Sequence, residues 1–263
     1  MKARAAVVAE AGAGGRTRLA VLRSEAPLTL RPTADAVYLA TSAAGPLGGD
    51  DVELSVTVGP GARLVLRTVA ATVALPGSGP GGPLEGAWSS YRWSLAVAGG
   101  GWLAVLPEPT IVATGARHHA AVRAEVAAGG GLVLREEVVL GRYGEPGGEY
   151  RGGLRVDVGG SPLLRSELVL DGADPVTAGP ASAVGGRATG SLLVVDPAWG
   201  PAAGWSAGSA GSAGSAGPAG SAGPDYAVMP LAGPGLLVSA TAADPRTVRA
   251  HLDTFLPDRF RCG

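Results

Sequence analysis

The chain has 263 residues, of which 44 are glycine, 21 are proline and only 16% are charged, with a formal net charge of -1. There is no Gly-X-Y period, which excludes collagen, and the near-neutral charge excludes a strong field drawing the whole protein to nucleic acid or a membrane surface. The single cysteine, Cys262, excludes a disulfide framework and fits a reducing compartment.

Met1 to Arg18 carries Lys2, Arg4, Glu10, Arg16 and Arg18, so no uninterrupted apolar core of a signal peptide is present. No run of about 18 apolar residues follows anywhere. The expectation is a cytoplasmic protein. Asparagine and glutamine are absent, Lys2 is the sole lysine and Ile111 the sole isoleucine. Such choices within chemical classes reflect base composition, and no function is read from them.

Strand signals dominate from position 51 onward. Asp51 to Val58 alternates polar and apolar, the period of a half-buried strand. Gly59-Pro60-Gly61 then makes a turn into Arg63 to Arg67. The same unit recurs as Ser94–Ala98, Gly99-Gly100-Gly101 and Trp102–Leu106. It recurs again as Ala121–Val126, Gly129-Gly130-Gly131 and Leu132–Leu134, and as Leu154–Val158, Gly159-Gly160 and Leu163–Arg165. This rhythm predicts an all-β fold of stacked strand–turn–strand units, mainly antiparallel, either as a meander or as a β-helix-like stack.

Residues 171–190 are rich in Gly, Pro and Ala and give no clear element. Residues 200–224 are a Ser-Ala-Gly tract with no apolar period, which predicts a disordered insertion loop within a single domain spanning 1–263. Strand signal resumes at Tyr226–Met229 and Gly235–Ala240. Asp244 then caps a helix whose first residue is Pro245 and whose apolar face is Val248, Leu252 and Phe255, before Pro257 stops it.

Several motifs carry chemistry only in the right context. Gly204-Trp205-Ser206-Ala207-Gly208 has the spacing of a hydrolase nucleophile, but it opens a low-complexity tract rather than joining a strand to a helix. Gly77 to Gly82 has the spacing of a dinucleotide loop, but Pro80 and Pro83 remove amide donors and no amphipathic helix follows. In a strand His118 and His119 would point to opposite faces, whereas in a loop they could share one metal. Three histidines and one cysteine cannot close a Cys/His metal site. Asp50, Asp51 and Glu53 cluster after Gly48-Gly49, and Glu136-Glu137, following the strand Leu132–Leu134, reads as a charge pair marking an edge or a strand end.

The order of these segments resembles the urease accessory protein family UreD, also called UreH. Gly45-Pro46-Leu47-Gly48-Gly49-Asp50 looks like its Gly-Gly-hydrophobic-x-Gly-Gly-Asp motif. Trp102 to Ile111, containing Leu106-Pro107 and Ile111, with Gly115-Ala116-Arg117, is similar to its Leu-Pro-x-x-x-Ile segment, and Gly141-Arg142 with Gly144-Glu145 or Gly148-Glu149 to its Gly-Arg…Gly-Glu motif. Val73 departs from the lysine usual in the family. The resemblance implies a non-enzymatic all-β scaffold with a minor helical part. It implies a UreF-type partner, a UreG-type GTPase recruited through the complex, and docking on apo-urease, with neither nucleic acid nor membrane involved. It also implies no permanent cofactor, and transient Ni2+ routed past Asp50, Asp51 and Glu53, with Glu145 or Glu149 as further contacts. An interaction-only scaffold without a metal role is the first alternative, and a hydrolase using Ser206 the second.

Overall fold

The structure, a computed structural model, describes residues 1–177, 179, 186–199 and 225–260. Its strands are β1 (Lys2–Ala11), β2 (Thr17–Ser24), β3 (Leu28–Pro32), β4 (Val37–Thr41), β5 (Asp51–Val58), β6 (Arg63–Thr68), β7 (Thr72–Ala74), β8 (Trp88–Val97) and β9 (Trp102–Leu106). They continue with β10 (Thr110–Val112), β11 (Arg117–Val126), β12 (Gly131–Leu140), β13 (Glu149–Val158), β14 (Ser161–Asp171), β15 (Ala188–Val195), β16 (Tyr226–Pro230) and β17 (Gly235–Ala242). One α-helix follows, α1 (Pro245–Thr254). The all-β expectation with a C-terminal helix holds.

Two sheets face each other. The first runs β14-β13-β11-β8-β5-β1-β2 and the second β16-β17-β15-β12-β9-β6-β4-β3. Each glycine turn after β5, β8 and β11 sends the chain to the opposite sheet instead of back beside itself. Strands one unit apart therefore stack in parallel: β5 on β8, β8 on β11, β11 on β13, and in the other sheet β6 on β9 and β9 on β12. The expected antiparallel pairing is found in β1–β2, β13–β14 and β3–β4 and from β12 through β15 and β17 to β16. For the centre it is corrected to a β-helix-like stack. The turns stack as well. Gly131 donates to Gly101 at 2.9 Å and Gly100 to Gly129 at 2.9 Å, with Gly100 and Gly129 both at positive φ.

Register sets the core. Val58, Val97, Val126 and Val158 form one rung-to-rung ladder, and Val56, Leu95, Ala124 and Val156 another. Both face inward against Leu64, Leu103, Leu132 and Leu193 of the second sheet. That sheet is buried on its other face too. Ala104, Leu106, Val133, Leu192 and Val194 pack beneath Val248, Leu252 and Phe255 of the helical tail. All of Trp102–Leu106 is buried, as expected for a strand covered on both sides. Asp244 caps α1, accepting from the amides of Arg246 at 2.9 Å and Thr247 at 3.1 Å.

Two sequence expectations are settled here. Glu136 and Glu137 do not end a strand. They lie mid-way along β12, because the apolar run Val138–Leu140 continues it past the charges. His118 and His119 do take opposite faces, His118 buried and His119 exposed. The Ser-Ala-Gly tract, Ser206 and Cys262 lie outside the described residues.

Candidate functional site

Parallel stacking places residues of equal register side by side, and this builds a polar group inside the sandwich. Ser89, His118 and Tyr150 are in register on β8, β11 and β13. The Ser89 hydroxyl lies 2.9 Å from His118 Nδ1, and the His118 ring is flanked by Tyr91 at 5.5 Å and Tyr150 at 6.0 Å between centroids. From the facing sheet comes Glu136, which accepts a hydrogen bond from the Tyr150 hydroxyl. Gly152 makes this possible, because a Cβ there would sit 2.8 Å from the Tyr150 ring and 3.3 Å from Glu136 Oε1.

Burial governs the electrostatics. Desolvation lowers the His118 pKa to about 4, with His119 adding to the effect, so the imidazole is neutral near pH 7. It raises Tyr91 to about 12 and pushes Glu136 above the ordinary carboxylate range, which the Tyr150 hydrogen bond only partly opposes. Desolvation and the nearby Glu136 push Tyr150 well up.

Tyr91, His118, Tyr150, Glu136 and Leu154 line a cavity of about 180 Å³ that continues to Thr68–Thr72 and Glu108. A second cavity, of about 290 Å³, is lined by Gly152, Ser166, Thr189, Ser191 and Ser239. Glu136 and Leu154 line both. Glu136, which Tyr150 holds, is therefore a wall of two pockets, each partly open to the surface.

On the other face of β12, period-2 alternation aims Arg135 and Glu137 at the helix. Arg249 of α1 reaches Glu137 at 2.5 Å and Glu108 at 2.9 Å, and Arg135 reaches Asp253 at 2.9 Å. Arg135 also donates to the Pro107 carbonyl at 3.3 Å. Burial disfavours the Arg249 charge, but Glu137 and Glu108 more than offset this and raise its pKa. For Arg135 burial prevails and lowers it.

The carboxylates singled out in the sequence lie elsewhere, and each has a partner. Asp50 accepts from the Leu47 amide at 2.9 Å and pairs with the Met1 ammonium at 2.6 Å. Asp51 pairs with Arg92 at 2.7 Å, and Glu53 with Arg92 at 2.5 Å and Arg4 at 2.9 Å. Arg142 holds Glu145 at 2.8 Å and is the main cause of its low pKa, about 2. Glu149 pairs with Arg117 at 2.8 Å and Arg151 at 3.0 Å. Asp50, Asp51 and Glu53 are brought together at the start of β5, Glu149 starts β13 three strands away, and Glu145 is in a loop. Among the described residues no group of three or more His, Cys, Asp or Glu side chains could hold a metal ion. The carboxylates lining the first cavity are Glu108, Glu136 and Glu137.

Comparison with known proteins bears on what this scaffold is. The profile of the UreD urease accessory protein family matches residues 1–257. The chain belongs to the UreD family. Its relatives include a urease accessory protein UreD of Frankia alni, 43% identical over 96% of this chain and 91% of the relative. One from Parafrankia sp. is 41% identical over 97% and 87%, and the UreD 3 protein of Streptomyces griseus is 39% identical over 96% and 95%.

The UreD motifs now have physical meanings. Gly48 allows a backbone crossing, since a Cβ would lie 2.6 Å from the Ala87 carbonyl and 2.8 Å from the Gly77 amide. Gly49, at φ 89°, turns the chain so that Asp50 can cap it. Pro107 presents its carbonyl to Arg135, and Ile111 pairs with Val139 and Val73 in short parallel ladders. Gly141 has φ 74° and packs against the Glu145 carbonyl, and Arg142 clasps the Glu145 carboxylate. Among the described residues no helix is long and apolar enough to cross a membrane.

Proposed function

We propose that this chain is a non-enzymatic scaffold of urease maturation in the cytoplasm. It binds a UreF-type protein, through it a UreG-type GTPase, and docks this assembly on apo-urease, to which nickel is delivered. The observation that carries the reading is the UreD family match along residues 1–257. Nickel is the cargo and no cofactor is retained.

Two neighbouring pockets that share Glu136 and Leu154 as walls support a passage for that cargo. An ion in transit must be held weakly. A neutral imidazole and single carboxylates suit Ni2+ without trapping it, whereas a closed thiolate set would not release it. On this reading His118 and Glu136 contact the ion inside. Asp51, Glu53, Glu145 and Glu149, held by arginines, flank the route, and so does the buried Asp50, held by the Met1 ammonium.

The test is a pull-down with a UreF-type partner, followed by activation of apo-urease by nickel in the reconstituted complex. Capture of the partner with reduced activation by Glu136→Gln supports the reading. Failure to capture any UreF-type partner overturns it. Full activation by Glu136→Gln, Asp50→Ala and Glu53→Ala alike would leave the chain as an interaction-only scaffold.

A further inference from the structure

The outer face of the first sheet carries a charge pattern that the fold itself does not explain. Arg123 of β11 is in register with Arg155 of β13, and Arg155 with Arg165 of β14. All three are exposed. Like charges directly opposite each other destabilise a sheet. Asp157, one row away, pairs with Arg165 at 2.5 Å, and Glu125 lies 3.7 Å from Arg123. Among the described residues no carboxylate pairs with Arg155, which stands between the other two arginines.

The row on the other side holds a second anomaly. Gly153 lies mid-strand, flanked in register by Ala121 and Glu167. It is not at positive φ, and a Cβ there would meet nothing within 4 Å. Its neighbour Gly152 is required by Tyr150, but nothing inside the molecule requires Gly153. A strand glycine costs conformational entropy and contributes no packing, and one common reason for it is the close approach of a second backbone.

We propose that this patch docks a partner protein whose surface presents a row of carboxylates to Arg123, Arg155 and Arg165, with its backbone nearest at Gly153. A protein fits better than a nucleic acid. Glu125, Asp157 and Glu167 border the arginines and would repel a phosphate backbone, whereas an alternating protein surface can match such rows in register.

The probes rest on the function proposed above: immobilised apo-urease, an immobilised UreF-type protein, and duplex DNA as a polyanion control. Wild-type full chain, Gly153→Thr and Arg155→Glu are compared on each. The expected result is binding to one of the two proteins that weakens about tenfold or more in both variants, the effect of losing about 1.4 kcal/mol. Wild-type binding should also weaken between roughly 50 and 300 mM salt. The thermal midpoint of Gly153→Thr should match or exceed that of wild type, which separates lost docking from lost folding. Wild-type binding untouched by both substitutions overturns this inference alone. Wild-type chain that captures neither protein overturns both this inference and the proposed partnership. DNA binding lost in Arg155→Glu, with protein binding intact, replaces the partner by a polyanion.

Discussion

Tyr150 donates its phenolic hydrogen to Glu136 across the gap between the two sheets, and Glu136 walls two neighbouring pockets. Tyr150→Phe keeps the ring and removes the donor, leaving a half-buried carboxyl without that partner. The cost should be about 1–3 kcal/mol in urea unfolding. Tyr150→Phe combined with Glu136→Leu should regain part of it. The Glu136 pKa is raised by burial, so the folded state holds a proton that the unfolded state gives up. Its contribution is greatest below the ordinary glutamate range and is lost as pH rises towards the folded-state value.

His118 has the opposite sign. Its folded pKa, about 4, is below the ordinary 6.5, so the unfolded state takes up a proton first as pH falls. The stabilisation is complete above pH 6.5 and disappears on descent to about 4. At pH 5 the loss should be about 2 kcal/mol relative to neutral pH. Urea midpoints at pH 7 and pH 5 check this, and the difference should shrink in His118→Leu.

Arg249 joins the helix to the sheet through Glu137 and Glu108. Glu137 is only 1% exposed, so Arg249→Met removes its hydrogen-bonding partner and leaves the buried carboxylate only Arg135, at 3.4 Å, as an ionic neighbour. Destabilisation of about 3 kcal/mol is expected in chemical denaturation. The Arg249→Met, Glu137→Met double variant should cost less than the single one. A mere loss of helix packing would instead give additive costs.

Asp244→Ala removes the acceptor for two amides at the start of α1. About 1 kcal/mol should be lost, read as a lower thermal midpoint, with Asp244→Ser largely neutral.

Much of the architecture was legible in the sequence because its cues are local. Alternation over Asp51–Val58, glycine turns at regular intervals and the Asp244–Pro245 cap each depend on a few adjacent residues. Whether a glycine turn folds a strand back beside itself or carries it to a facing sheet is not local, and the parallel stacking in the centre was not fixed by the pattern. The interior site was hidden for a related reason. Tyr91, His118, Tyr150 and Glu136 come from four separate strands and meet only through register. One cue was available: Arg135-Glu136-Glu137 is bounded by apolar runs on both sides, the mark of charges buried within a strand rather than ending it. The carboxylates of the glycine-rich motifs were conspicuous by composition, yet their arginine partners Arg92, Arg117 and Arg142 lie far away or had no visible reason to pair.

The stacked turns divide the molecule into two edges with different freedoms. Along the edge of Gly61, Gly100 and Gly129, each turn hydrogen-bonds to its neighbour, so one residue added there would break the pile above and below. The opposite edge joins β7 to β8, β10 to β11 and β12 to β13 by loops of unequal length. Length variation among UreD relatives, and any tag or reporter inserted by design, should concentrate on that second edge, where the chain can grow without disturbing the rungs.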